Sequence, residues 1–429
     1  MKMNNIIINS GKAASELAAL GGTPVINPFT SPVPPPPYVD EKMVESIART
    51  AASGIWCRIQ SATGTVATFE KEYARLIGTK YCVATGAGTQ ALNTCVEALG
   101  IGAGDEVITS PYTDIGTVSA ITFSRALPVF ADLDRDSFQL DPDEVEKRIT
   151  ENTKAIIPVH IGGQPADMER IMAIAEKHNL VVIEDACQAH LTEFQGKKLG
   201  TIGKLGCFSF QASKNIACGE GGAIVGNDME LMEKCFTVQN HGTTRTGQHA
   251  VIGPKYRMNE FEGAILLPQL DGIRGRHDRR NENSWYMRSR LRGFPGIIPQ
   301  KLYEGTGTSS WWLFLCSYRK EHFNGASRDK LIKALIAEGV KASGYIQYGF
   351  HKSELIQNHL LELKVYRNMF SEARLGKYRD EIGCPVCDAV CDEEVLSLDV
   401  PAAADRSYLD KIFDAIVKVY ENRDKLNSL

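Results

Sequence analysis

The sequence predicts an α/β fold built on a mixed, mostly parallel sheet, followed by a smaller C-terminal α+β region, and three observations carry that prediction. Short β-rich runs alternate with helical patterns from about residue 80 to residue 185, as in a parallel sheet covered by helices on both faces. After Gly222 the alternation stops and a long helical pattern takes over. The chain has 429 residues, 43% of them apolar, enough to bury a large core and to divide into two domains.

Residues 1–40 finish in "PFTSPVPPPPYVD", where the prolines favour an extended arm and forbid a helix. From Glu41 to about Gly78 two helical patterns flank "SGIWCRIQSATG", the second with apolar positions at helical spacing. Then "YCVAT" precedes "TQALNTCVEALG", "DEVITS" precedes "GTVSAITFS", and "LPVFADL" precedes "DPDEVEKRIT". "KAIIPVHI" precedes "DMERIMAIAEKHN", and "VVIEDA" closes the series. Beyond it "AIVGN" reads as a strand and "DMELMEKCFTVQNHG" as a helix. The stretch from Met258 to Gly293 reads as one long helix, broken or softened at Gly272 and Gly275. From about Ile297 come the strand "SWWLFLCSYR", the helix "SRDKLIKALIAEG" and the C-terminal helix "RSYLDKIFDAIVKVYENRDKL". The expected division is an arm over 1–40, a large domain over 41–296 and a small domain over 297–429.

Composition excludes several classes. A net charge of −4 gives no basic footprint for nucleic acid. No apolar run approaches the roughly 18 to 20 residues that span a bilayer, and the N-terminal apolar run is too short for a secretion signal. Eleven scattered cysteines suit reduced, buried thiols and a cytoplasmic location. Cys384, Cys387 and Cys391 cluster in "CPVCDAVC", but no second ligand pair stands at metal spacing, so packing in a helical segment, and no metal, is expected.

Three loops at strand ends carry chemistry-grade composition, and strand ends are where such sheets bind ligands. In "ATGAGTQAL" the glycines permit close backbone approach and Thr89 opens a helix whose free N–H groups suit a phosphate, although a Gly-Thr helix start serves structure equally well. "VVIEDACQAH" ends in two acids, Glu184 and Asp185, either of which could be a helix cap. "FSFQASKNIACGEGG" holds Ser209 and one lysine, Lys214, in almost uncharged company, which is costly unless the amine is exposed, paired or kept reactive. A phosphate-shaped helix start, a carboxylate and a lysine are together the parts that hold pyridoxal phosphate.

The ordered segments "GTQAL", "GDEVITSPYT", "PVFADLD", "PVHIGGQPADM", "VIEDACQAH", "FSFQASKNIACGEGGAIV", "NHG" and "KYRMNEFEGAIL" resemble the DegT/StrS family of sugar aminotransferases. The resemblance implies an aspartate aminotransferase-like large domain (fold type I), pyridoxal 5'-phosphate as cofactor, and a homodimer with its sites at the interface. It further implies that Lys214 forms the imine with the cofactor, that Asp185 lies beside the ring nitrogen and Gln188 near the ring hydroxyl, and that Gly88, Thr89 and Ser209 contact the phosphate. The segment "GPKYRMNE" resembles one by which a partner subunit reaches the phosphate; this chain carries Lys255 where many members carry asparagine. Amino donors in the family are glutamate or glutamine, and acceptors are keto-sugars or keto-cyclitols.

The chain departs from the family at "SPYTDIGT", where Asp114 replaces the aromatic that stacks on the cofactor ring. Tyr112 could cover that face instead, or Asp114 could meet substrate; equally, Asp114 could cap the helix that follows. Arg58, beside Trp56, could receive an anion or be an ordinary loop arginine. His160 and His190 could orient a ligand or be satisfied structural groups, and Trp311 and Trp312 read as core of an apolar strand. The expected reaction is a ping-pong amino transfer in amino-sugar or aminocyclitol biosynthesis. The alternative is a catalytically altered cofactor-binding member, dehydratase-like or regulatory; relatives in the dehydratase branch replace the lysine with histidine.

Overall fold

The computed structural model describes residues 15–27 and 38–429, so the proline stretch expected to form the arm lies outside the described residues. In chain order the large region runs α1 (Glu41–Ser53), α2 (Thr65–Ile77), β1 (Tyr81–Thr85), α3 (Gly88–Ala98), β2 (Glu106–Thr109), α4 (Ile115–Phe123), β3 (Leu127–Phe130), α5 (Pro142–Lys147), β4 (Thr153–Ile157), α6 (Met168–Lys177) and β5 (Val181–Asp185). It continues through a short ribbon of β6 (Glu193–Phe194) and β7 (Lys197–Lys198), then β8 (Leu205–Ser209), β9 (Gly222–Gly226), α7 (Met229–Gln239) and α8 (Glu260–Arg290). The end region holds β10 (Ile297–Pro299), β11 (Phe314–Tyr318), α9 (Arg328–Ala337), β12 (Ala342–Ser343), α10 (Lys364–Met369), α11 (Glu372–Glu381), α12 (Pro385–Ala389), β13 (Val395–Leu398) and α13 (Arg406–Glu421).

The large sheet has seven strands in the order β1-β9-β8-β5-β4-β2-β3. Only β9 runs against its neighbours, pairing antiparallel with both β1 and β8. The central strands β8, β5, β4 and β2 are parallel and fully or almost fully buried, which is why they read as continuous apolar runs. Their C-terminal ends therefore lie along one edge, and the loops after β1, β2, β5 and β8 meet there.

The long helix differs from its sequence expectation. Gly272 and Gly275 lie inside an unbroken α8, which also continues past Pro268. A capping box fixes its start, Asn259 accepting from the backbone of Glu262 and the Glu262 carboxylate from the backbone of Asn259. Packing against α1 and α2 outweighs the roughly 1 kcal/mol that each interior glycine costs.

A second apolar cluster forms around the four-stranded sheet β10-β11-β13-β12 and draws in Leu331, Leu409, Ile412 and Ile416. Leu17 and Ile26, within the expected arm, are buried in it. Residues 297–429 contribute to both cores: Tyr366 and Tyr378 donate their hydroxyls to the carbonyls of Ala126 and Pro128 beside and within β3. Cys384, Cys387 and Cys391 are buried in the apolar cluster that also holds Ile108, Val129 and Ile156 of the large sheet. The strand expected over "SWWLFLCSYR" begins only at Phe314. Trp311 takes a left-handed φ of 43°, which ends the extended run and separates the fates of the two tryptophans.

Candidate active site

The site assembles where β1, β5 and β8 end. Helix α3 begins directly after β1, and its N-cap, Ala87, offers no side-chain oxygen to the first turn. The opening N–H groups are thus uncapped and carry the positive end of the helix dipole. Gly88 faces Ser209 so closely that an added Cβ would lie 2.8 Å from the Ser209 Cβ and 3.1 Å from the Cys187 sulfur. The hydroxyls of Thr89 and Ser209 donate to no protein acceptor among the described residues. A helix start, a glycine and two hydroxyls in this arrangement are suited to receive an anion.

At the end of β5 the two acids point to opposite faces, as strand alternation requires. Glu184 accepts from the backbone N–H of Gly200 at 2.7 Å and from those of Ile202 and Gly203 at 2.6 Å. It also accepts from His160 Nε2 at 3.1 Å, and the other ring nitrogen of His160 accepts from Ala166 N. Asp185 faces the site. It accepts from Thr117 Oγ1 at 2.7 Å and from Cys187 N at 3.2 Å, and Thr117 is itself hydrogen-bonded to Thr113.

Lys214 sits at the tip of the segment joining β8 to β9. Its backbone N–H donates to Gln211 O, and pairing of Phe210 with Gly221 extends the ladder towards the tip. The amine makes no hydrogen bond or ion pair among the described residues; it lies 3.8 Å from the centre of the Trp312 ring. Burial pushes it below the ordinary lysine value, while the charges of Asp185 and Asp114 pull it back up. Burial raises the Cys187 thiol well above its usual range, so it stands there as a neutral group.

Gln188 is buried, accepts from Gly162 N at 2.7 Å and donates to the Tyr345 hydroxyl at 2.8 Å. Burial pushes the Tyr345 phenol upward, with Asp114 and Asp185 adding to the shift. Asp114 is exposed and caps α4, its Oδ1 accepting from Gly116 N at 2.8 Å.

Several other expected site residues are engaged elsewhere. Tyr112 is fully buried and donates its hydroxyl to Tyr345 O at 2.6 Å, so it props Tyr345 and offers no face to a ligand. Arg58 is ion-paired with Glu70 at 2.7 Å, both side chains largely buried. His160 is sealed behind the sheet on Glu184. His190 accepts from the Tyr73 hydroxyl and donates to Ser209 O, and burial depresses it to about 4. Trp56 is exposed and packs on Phe261. Lys255 is exposed, its backbone bridged to Asn240. Thr117, Tyr345 and Trp312, which sequence reading did not place here, complete the site. Thr117 had a signal, one helical turn past Asp114; the other two arrive from the far side of the chain.

The comparisons with known proteins decide the class. Residues 37–395 match the DegT/DnrJ/EryC1/StrS aminotransferase family. The chain belongs to that family. It is therefore a pyridoxal-phosphate-dependent aminotransferase with the fold type I architecture of those enzymes. It is 34% identical over 343 residues to the L-glutamine:2-deoxy-scyllo-inosose aminotransferase of Streptomyces kanamyceticus, covering 76% of this chain and 79% of that one. It is 36% identical over 317 residues to the UDP-N-acetyl-3-dehydro-alpha-D-glucosamine 3-aminotransferase of Acidithiobacillus ferrooxidans, covering 71% and 83%. The crystal structure of DesI in the presence of its TDP-sugar product superposes with a TM-score of 0.79 at 27% identity, over 97% of this chain and 99% of that one. Among the described residues no helix is long and apolar enough to cross a membrane, and no His, Cys, Asp and Glu group could hold a metal.

Proposed function

We propose that this chain transfers an amino group from glutamine or glutamate to the ketone of a cyclitol or sugar, in amino-sugar or aminocyclitol biosynthesis. Supporting the reading above all is the convergence of the uncapped start of α3, Asp185 and Lys214 at one sheet edge. Named relatives support the glutamine donor and both kinds of acceptor.

Pyridoxal phosphate, when bound, supplies an electron-accepting ring that stabilises the carbanion left by loss of an α-proton. Gly88, Thr89 and Ser209 would hold its phosphate with the first N–H groups of α3. Asp185, oriented by Thr117 and the Cys187 backbone, would keep a proton on the ring nitrogen, and Gln188 would lie near the ring hydroxyl. Lys214 would bond the cofactor and, when free, move the α-proton, a task suited to an amine whose pKa is depressed by burial. Donor and acceptor would use the site in turn, in two half-reactions. Asp114, exposed and electrostatically coupled to Lys214, would face the acceptor while capping α4.

The reading includes a cytoplasmic homodimer in which Lys255 reaches the phosphate bound by the other subunit. Free cysteines throughout and the exposed Val251 and Ile252 near Lys255 support those two parts.

Borohydride reduction of the purified protein followed by peptide mapping tests the core of the proposal: the label is expected on Lys214, and a label on any other lysine would sink it. Screening the aminated cofactor form against keto-cyclitols and keto-sugar nucleotides then separates the acceptor classes by which of them restores the starting absorbance.

A further inference from the structure

Two consecutive tryptophans leave the backbone in different directions. Trp311, at φ 43°, is 2% exposed, lies face to face with Phe314 and edge-on to Trp285, and donates its indole N–H to Asn281. A bulky residue holds a left-handed conformation only when its surroundings enforce it, and here they do. Ser310 donates its N–H to Thr192 Oγ1 at 2.8 Å and its hydroxyl to Gln188 O at 2.5 Å, and its carbonyl accepts from Asn215 at 2.9 Å. At Gly163, with φ 84°, an added Cβ would collide with Ser310 Oγ and approach Trp312 N to 3.2 Å.

Trp312, by contrast, is only half-buried and turned to the lysine. Its indole N–H donates to Ser213 O at 2.9 Å, which ties the ring to the residue just before Lys214. Tyr345 meets it at 5.7 Å and 80°. The Lys214 Nζ lies 3.8 Å from the ring centre, well within the roughly 6 Å over which a cation is attracted to an aromatic face. No carboxylate lies within ion-pair distance of this amine among the described residues, so the indole face is its one close electrostatic partner.

We propose that Trp312 is a positioning residue for Lys214, its indole face receiving the ε-amine whenever the lysine is not bonded to the cofactor and holding it at the site between proton transfers. The catalytic meaning rests on the function proposed above; the contact itself does not.

The test reads the ionisation of Lys214 in the full chain prepared without pyridoxal phosphate, by trace acetylation across pH with quantification of the Lys214 peptide. A π face stabilises the charged amine, so Trp312→Leu, which keeps apolar bulk but has no ring, should lower the midpoint by about 0.4 to 1.5 pH units. Trp312→Phe, which keeps a face, should stay within about 0.3 units of the wild type on the same grounds. A purely structural role predicts the opposite sign, because loosened packing admits water and raises the midpoint. A midpoint unchanged or raised in Trp312→Leu, or lowered equally in both variants, overturns the inference. Should Trp312→Leu fail to fold by circular dichroism, Trp312→Met carries the same expectation. Failure of the functional reading is separable: borohydride would then label a different lysine, whereas a label on Lys214 with no shift of midpoint refutes Trp312 alone.

Discussion

Behind the end of β5, Glu184 and its surroundings are saturated; in front of it, Asp185 and its surroundings are left open. Glu184 receives backbone N–H groups of Gly200, Ile202 and Gly203 as well as His160, and His190 is likewise bonded at both ring nitrogens. Among the described residues Asp185 receives only Thr117 and Cys187 N, and close by the Lys214 amine and the hydroxyls of Thr89 and Ser209 donate to no protein acceptor. Polar groups that are buried and fully bonded hold a fold together. Polar groups left with spare valence at a sheet edge are available to a ligand, and that difference sorts the two acids where composition does not.

Cutting the saturated side should have the largest effect on the fold. Glu184→Ala would strand backbone donors in a dry interior, and we expect a loss of about 3–5 kcal/mol in denaturant unfolding; a variant of near wild-type stability would mean those donors find water. On the open side Asp185→Asn should leave stability almost unchanged and slow the glutamine half-reaction by about 10²–10³-fold in stopped-flow spectra, as when a transition-state charge loses its partner. Equal single-turnover rates would make Asp185 a mere cap.

His190 sharpens the contrast through pH. Its folded pKa of about 4 lies below the unfolded value near 6.5, so the unfolded chain binds more protons between these limits. Stability should therefore be whole above pH 6.5 and fall as the pH drops towards 4, by up to about 3 kcal/mol from this group. Urea unfolding of wild type and His190→Gln across that window checks it: the variant should show a shallower acid slope.

The smallest effect belongs to Asp114, which stands on both sides. Asp114→Ala removes a helix cap and should cost about 0.5–2 kcal/mol. Asp114→Asn keeps a capping oxygen, so a selective loss of the acceptor half-reaction there would show that the charge meets substrate, whereas equal loss in both half-reactions would point to cofactor placement.

Much of the site was legible because its pieces are punctuated locally. Glycines before α3, an acid pair closing an apolar strand and a lysine in uncharged company all announce themselves within a few residues. Period-two alternation says that Glu184 and Asp185 face apart, but not which faces the ligand; that depends on Gly200, Ile202 and Gly203, whose N–H groups arrive from a later loop. Tyr345 and Trp312 escaped for the same reason. Nothing local distinguishes Trp312 from its core neighbour, because the turn at Trp311 is imposed by Gly163, Thr192 and Gln188 from the other side of the chain. The glycines predict a break that α8 does not have, because interior glycines weaken a helix only locally, whereas its packing acts along its length.

The antiparallel β9 has a further consequence. Because Ser209 pairs with Gly222, residues 210–221 form a closed loop whose two ends are pinned side by side, with the Lys214 amine near its tip. Chain-closure entropy varies so slowly with length that even doubling such a loop costs only about 0.6 kcal/mol. One inserted residue, however, lengthens the contour by about 3.3 Å, more than the span of a hydrogen bond. Melting curves would barely register such an insertion near Lys214, while on the proposed function the amino transfer would be lost, so the length of this loop is a constraint that activity reads and thermal stability does not.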